Sequence, residues 1–557
     1  MSEPRESIYP TSLGIVGNQP AIVVGEMVPL VRCGNLSIRD KALQARQDWL
    51  ARYSGTNLSL KNIVHYVDYS SGYLFLYVLG GQSGGESAWQ LAPATSPATF
   101  GLTGLGLNNV SDTTNLYFSS VIAEDGVYIC SPSIPVTKLA GSSKTQLSFD
   151  VFGTVRAQYA ISADSHLMLG NLIQNGTSRR TRLIWSDLYD YSDFVLDPSQ
   201  SEVGSFDLPS TDFEITGLSY QRGFVHIYTQ ESIWRARYVG FDQGVWLFEP
   251  LYQNLGNVYH YAVVAAKEMD FFIGPDSFYR LDGGAVQAIG DEIWKFFNGT
   301  RDTTYGLPVR GEVDLAAKEV YWTYKANGNW ETINGKLWQV VYNYDTGQWT
   351  ARHARGERDR WAYRYSSPST LPCNSTTVVN GTALGSTACN HATTGTYACN
   401  RNFGTWENET LLITDSTDGD QIMSVKSTYG NSKLTGGAEK CYFATHYFIF
   451  GSIASEKEIY KVRAIYQGAN IAGAAAKAAG HEMRLQVWQQ GSYHEGGTLV
   501  ADVAMEENEP VFYLRNMTPG QYILFYFQWY NTAAYYCNSF IGFSVERQEP
   551  ETNHGDR

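Results

Sequence analysis

The chain has 557 residues, with 41 basic against 55 acidic side chains for a formal net charge of −14, and it is 43 % hydrophobic against 17 % charged. That balance excludes a disordered chain, and a pI near 5.2 argues against wrapping nucleic acid through basic patches. No apolar run is long enough to span a bilayer, since Tyr442–Ala454 is short and carries a His, and the polar start Met1-Ser-Glu-Pro-Arg-Glu predicts no signal peptide.

Residues 1–60 read as an N-terminal arm and helix that contact a platform. Ile38, Ala42, Ala45 and Trp49 recur at i, i+4, i+7 and i+11, Ser37 with Asp40 resembles a capping box, and Gly55 closes the segment. One short helix is therefore expected over Ser37–Tyr53. A second, weaker candidate is the Ala-rich Ile471–Ala479.

Residues 61–440 alternate with period two around recurring turns, each followed by a run of aromatic and β-branched residues. The turns are read at Ser71-Gly72, Asp125-Gly126, Asp164-Ser165, Arg222-Gly223, Met269-Asp270, Lys318-Glu319 and Asn408-Glu409. Most lie about 40 to 60 residues apart, close to the roughly 40 to 50 residues of a four-stranded blade. The expected class is mainly β: a β-propeller of six, possibly seven, blades with a flanking platform or β-sandwich. The long gap before Asn408 holds an insertion rich in Thr, Gly and Cys at 366–402. Residues 441–545 carry longer alternating strands, Lys457–Tyr466, Met483–Trp488, Val511–Leu514 and Tyr522–Trp529, expected to form an antiparallel sandwich, and 546–557 is expected as a flexible tail.

Each chemical candidate has a plainer reading beside it. Asn343-Tyr-Asp345-Thr-Gly347-Gln-Trp349 resembles the Asp-box hairpin of sialidase propellers, without its leading Ser and its Ser/Thr before Trp, and such a box is a turn rather than a catalytic group. Asp187, Asp190 and Asp193 form the densest acidic cluster of the propeller; as a pair of carboxylates they could serve glycoside hydrolysis, and as a solvated turn they would cap backbone donors. Seven Cys with no CxxC pair support no zinc site. Cys389, His391 and Cys399 fit no common metal spacing, and Cys373, Cys389 and Cys399 read as free thiols that could pair in an oxidising medium. His166, His226 and His446 read as satisfied core or interface residues. The nine Asn-X-Ser/Thr sequons read as turn chemistry. Arg179, Arg180 and Arg182, with Arg352 and Arg355, are local basic clusters suited to an acidic neighbouring subunit or to phosphate. No cofactor, metal or catalytic set is expected.

The run Arg182-Leu-Ile-Trp185-Ser186-Asp187, followed by Asp190 and Phe194, resembles the blade signature of tail nozzle (tail hub) proteins of short-tailed bacteriophages. So do Ile215–Leu218, Gly223–Trp234, Phe272–Tyr279 with Asp282-Gly283, and Ala288–Gly290; the likeness covers about Ala157–Arg352. It implies a six-bladed-type propeller flanked by a platform built from the terminal regions and the sandwich. It further implies a virion protein at the tail tip, made in the host bacterial cytoplasm. Six copies would form a ring beneath the adaptor and portal, with fibres or tailspikes at the side and genomic DNA passing through. The 366–402 insertion departs from that pattern. A glycan-binding propeller or adhesin is the second reading, and a propeller glycosidase the third.

Overall fold

The computed structural model describes residues 118–302 apart from 142, 198–200 and 210–212, and residues 309–353 apart from 316 and 327–336. Outside these it describes the strands between Arg5 and Gln548 and a few flanking positions. Seven four-stranded antiparallel sheets follow one another along the chain. Sheet one runs from Leu58–Asp68 to Phe100–Gly104, sheet two from Ser119–Ala123 to Ser143–Gln146, and sheet three from Val155–Ala163 to Gly204–Asp207. Sheet four runs from Ile215–Gln221 to Val245–Gln253, sheet five from Val264–Ala266 to Ala285–Ala288, and sheet six from Arg310–Asp314 to Gln348–His353. Sheet seven joins Arg360–Ser367, Glu407–Ser416 and Gly419–Val425 to Trp49–Ser54 from the other end of the chain. The first strand of each sheet packs against the first strand of the next, and sheet seven returns to Leu58–Asp68, so the ring closes. This is a β-propeller.

The turns explain why these residues make tight hairpins. At Asp164-Ser165, Arg222-Gly223 and Asn175-Gly176 both central residues have left-handed φ, between 42° and 80°. That is the geometry whose twist matches the strands it joins. The remaining expected turns are shifted or outside the described residues: Gly126 and Glu319 already belong to the strands that follow, and Ser71-Gly72 lies outside the described residues. Sheet five turns at Lys267-Glu268, two residues before the expected Met269-Asp270, and Asn408-Glu409 lies inside the strand Glu407–Ser416, paired with Ser366 and Tyr365.

The helix expected over Ser37–Tyr53 is absent; the segment forms the strands Leu36–Arg39, Ala42–Ala45 and Trp49–Ser54. Leu36 and Leu43 are buried, and Val425 pairs with Trp49. Helical spacing is a weak preference, and the partners offered by the C-terminal strands outweigh it. One α-helix is Asp291–Thr300, with acids in its first turn and Ile293, Phe297 and Thr300 on its buried side, and Ala478 in the second candidate stretch is also helical. Ile471–Ala479 lies almost wholly outside the described residues.

Both chain ends build the second body. A six-stranded sheet joins Arg5–Ile8, Leu36–Arg39 and Ala42–Ala45 to Tyr536–Gln548, Glu458–Ala469 and Val511–Tyr513. A five-stranded sheet joins Leu30–Gly34 to Glu439–Thr445, Tyr522–Asn531, Arg484–Gln490 and Thr498–Ala504. Phe443, Phe525 and Phe527 of one sheet meet Phe540, Phe543 and Phe512 of the other, with ring centroids 4.8 to 5.8 Å apart, the aromatic interior of a sandwich. The last strand continues through Gln548, past the expected start of the tail at 546, and Glu546 pairs with Arg5. Among the described residues no helix is long and apolar enough to cross a membrane.

Candidate functional site

In a four-stranded meander the first and third turns share one end, so these turns of all sheets gather on one rim of the ring. The signature residues are concentrated there. Asn343 accepts through Oδ1 from the N–H groups of Asp345 (3.0 Å) and Thr346 (3.1 Å), and Gly347 (φ 73°) closes the turn by donating to the Asn343 carbonyl at 2.8 Å. The Lys318 ammonium, 2.6 Å away, holds the Asp345 carboxyl below the usual carboxylate range, and Lys267 of the preceding sheet approaches to 4.0 Å. Trp349 is buried, and its indole donates to the Ile289 carbonyl at 2.8 Å, 60 residues away in sequence. Asp282 ends its strand before Gly283 (φ 57°) and pairs at 3.0 Å with Arg222 of sheet four, which also reaches Glu268. Trp234 is half-buried and donates to Ser232 Oγ at 3.1 Å. Asp282 thus ties sheet five to sheet four, and Asp345, through Lys267, reaches from sheet six to sheet five.

Trp185 is buried and donates to the Glu202 carbonyl at 2.7 Å, and Ser186 Oγ accepts from Leu167 N–H at 2.9 Å. Asp187 Oδ1 accepts from Glu202 N–H (2.7 Å), Asp190 Oδ1 from Ser192 N–H (2.9 Å) and Asp193 Oδ1 from Val195 N–H (2.8 Å). Each of these carboxylates caps a turn donor, the plainer of the two readings of the cluster. Their loop presents Tyr189, which is 78 % exposed with a left-handed φ of 62°.

Beneath the rim lie buried contacts that no local pattern announces. Asp270 of sheet five is fully buried, and Oδ2 accepts from His226 Nδ1 (2.7 Å), the Tyr228 hydroxyl (2.8 Å) and the Ser219 hydroxyl, all of sheet four. Burial, then the Asp270 charge, pushes the Tyr228 phenol far above its ordinary range. His166 of sheet three lies 3.1 Å from Glu202, which also receives the Tyr238 hydroxyl of sheet four at 3.0 Å. Burial and that carboxylate push Tyr238 up to about 12. His260 links Glu214 (3.1 Å) to the Tyr159 hydroxyl (2.6 Å), and its hydrogen bond holds the Glu214 carboxyl below the ordinary range. His166 and His226 are satisfied interface residues. Their carboxylate partners went unread because they lie 36 and 44 residues away in sequence.

The three arginines of the strand Thr177–Trp185 have different duties. Arg182 grips Asp207 with Nε and Nη2 and Gln174 with Nη1, and Asp207 is held below its usual range by that bond. Arg180 is exposed and stands 3.7 Å from Glu214, and Arg179 is exposed beside it. Of the three arginines these two are the exposed ones, near the Asn175-Gly176 turn on the opposite rim. Arg352 falls on Gln348–His353 with its side chain outside the described residues, and Arg355 lies outside them, as do Cys373, Cys389, His391, Cys399 and His446. Cys130, Cys441 and Cys537 are buried. Among the described residues no group of three or more His, Cys, Asp or Glu could hold a metal ion.

Fold and contacts define a β-propeller whose sheets are joined by ion pairs and buried polar clusters, with a sandwich built from both chain ends. No protein-family model and no curated protein matches the chain. Among solved structures it is similar to AztD of Citrobacter koseri (TM-score 0.31, 12 % identity, covering 67 % of this chain and 90 % of that one). It is also similar to a hypothetical selenium-binding protein of Sulfolobus tokodaii (TM-score 0.29, 11 % identity, 63 % and 90 %). At these TM-scores neither likeness bears on function.

Proposed function

We propose that the chain is a structural subunit of a short phage tail, the ring-forming nozzle through which the genome leaves and on which fibres or tailspikes dock. The observation that carries the reading is the sandwich beside the propeller, built from strands of both chain ends. That arrangement supports what the nozzle-like run Arg182–Asp187 implies. Asp282 and Asp345 of the signature pair with cations of neighbouring sheets, which suits a scaffold, and a charge of −14 per copy disfavours sticking to passing phosphates. Arg179 and Arg180 are the groups assigned to a neighbouring subunit.

The test is immunogold labelling of the protein in its native source under negative stain. Label confined to the tail tip of short-tailed virions is the expected result. Label on cell surfaces, or on free particles with no virions present, overturns the reading. The glycan-binding alternative draws on one observation, the outward Tyr189 ring, and a glycan array with Tyr189→Ala as control decides it.

A further inference from the structure

An edge strand carries unpaired N–H and C=O groups that only another extended backbone satisfies in register, so sheet edges are where one chain can capture another. The propeller blunts its described edges. Sheets two, three and five end in strands of four residues, Ser143–Gln146, Gly204–Asp207 and Ala285–Ala288. The longer outer strand of sheet four, Val245–Gln253, carries Pro250 and two register shifts. The outer strand of sheet six, Gln348–His353, lies against Leu30–Gly34 and Leu36–Arg39 of the sandwich.

Thr498–Ala504 is blunted less, by a single register shift at Val500. It is the outermost strand of the five-stranded sheet, pairs there among the described residues only with Arg484–Gln490, has seven residues without Pro, Lys or Arg, and buries none of them fully. Its single charge, Asp502, is already engaged by Arg484 Nε (3.1 Å) and Nη2 (2.9 Å). Beside it runs Val511–Tyr513, the edge of the other sheet. Leu499 (41 % exposed) and Tyr513 (40 %), both on these two strands, are the exposed large hydrophobics of the sandwich among its described residues. The opposite edges face the propeller, so this is the end of the sandwich remote from the ring.

We propose that Thr498–Ala504 is a strand-addition edge that pairs antiparallel with the same edge of a second copy. Copies carrying −14 each repel wherever acidic surfaces meet, and this edge strand brings a single carboxylate, Asp502, paired with Arg484, which Glu482 shares at 3.2 Å. Its Leu, Val and Ala side chains are complementary to themselves, as a two-fold contact requires. The seven residues, interrupted by the bulge at Val500, span at most about 23 Å.

The experiment uses the full-length chain and follows its mass against concentration by sedimentation velocity, with hydrogen exchange on the associated species. Two variants probe the edge. Val500 is skipped in the register between Leu499↔Trp488 and Ala501↔Val487, so Val500→Pro removes no ladder partner of Arg484–Gln490 while blocking a new strand. Leu499→Lys keeps the backbone and puts an unpaired charge in the contact, and it carries the test if the proline variant fails to fold. The expected result is concentration-dependent association, slowed exchange at 498–504 in the associated species, and association about tenfold weaker or worse in each folded variant. A chain monomeric at every concentration, association with exchange at 498–504 unchanged, or association indifferent to both variants overturns the proposal. The nozzle reading fails separately: rings that persist with 498–504 unprotected sink only the edge, and label away from virions sinks only the nozzle.

Discussion

Replacing Asp270 tests whether the sheets are held by polar contacts buried between them. Oδ2 gathers donors from His226, Tyr228 and Ser219, and Oδ1 has no hydrogen-bond partner, so the carboxylate is itself incompletely satisfied. Asp270→Ala strands three buried donors at about 1–3 kcal/mol each, while removing a costly buried charge. Those terms oppose one another, and breaking a buried charged cluster from one side typically costs about 3–5 kcal/mol, which is the loss expected here. Asp270→Asn keeps an acceptor of the same shape and should lose roughly half as much. Urea unfolding followed by tryptophan fluorescence reads the change on the transition that carries the propeller. A loss below about 1 kcal/mol for the alanine variant, at unchanged m-value, would refute the argument that this cluster joins sheets four and five.

Gly204→Ala would place a Cβ 2.5 Å from Trp185 Cζ2, so a loss of about 1–3 kcal/mol is expected in thermal unfolding, and a neutral outcome would mean that the indole shifts freely. Glu214 is depressed by His260, so its stabilisation is fully present above the unfolded carboxylate value and disappears as pH falls through the lower folded value. The stability gap between wild type and Glu214→Gln should hold steady above about pH 5 and narrow below about pH 4, measured by urea titration across that range. Arg182→Ala should cost about 0.5–1 kcal/mol through its half-exposed pair with Asp207, whereas Arg179→Glu with Arg180→Glu should leave stability within about 0.5 kcal/mol. If the nozzle proposal holds, the double variant weakens ring assembly seen by negative stain, and rings formed as in wild type would remove those arginines from the interface.

The sheet class was legible because its cause is local. A two-residue turn with left-handed φ, as at Arg222-Gly223, is written in adjacent residues, and the apolar run after it declares which face is buried. The Asn343–Trp349 hairpin could be read as a structural turn for the same reason. The misreadings lie where distant strands decide. Ser37–Tyr53 has helical spacing in isolation and becomes strand because Phe540 and Val425 stand ready to pair with Leu43 and Trp49. The helix Asp291–Thr300 carried a usable signal, Asp291 and Glu292 ahead of Ile293 and Phe297, that the surrounding period-two pattern masked. Asp270 and Glu202 could not have been read at all, since their duty exists only once separate sheets meet.

The N-terminal strands bear on how the two bodies stay together. Ala42–Ala45 pairs in the sandwich and Trp49–Ser54 closes sheet seven of the propeller, so only residues 46–48 join the two ladders. Separating the bodies would require peeling a strand from one of them, and a ladder yields cooperatively rather than one bond at a time. The outer strand Gln348–His353 meets Leu30–Gly34 and Leu36–Arg39 at the same junction, where buried Trp349, Leu36 and Leu43 belong to one continuous apolar core. Covalent connection, strand pairing and apolar burial therefore coincide at one place. That coincidence suits a subunit that must hold its two bodies in fixed relation.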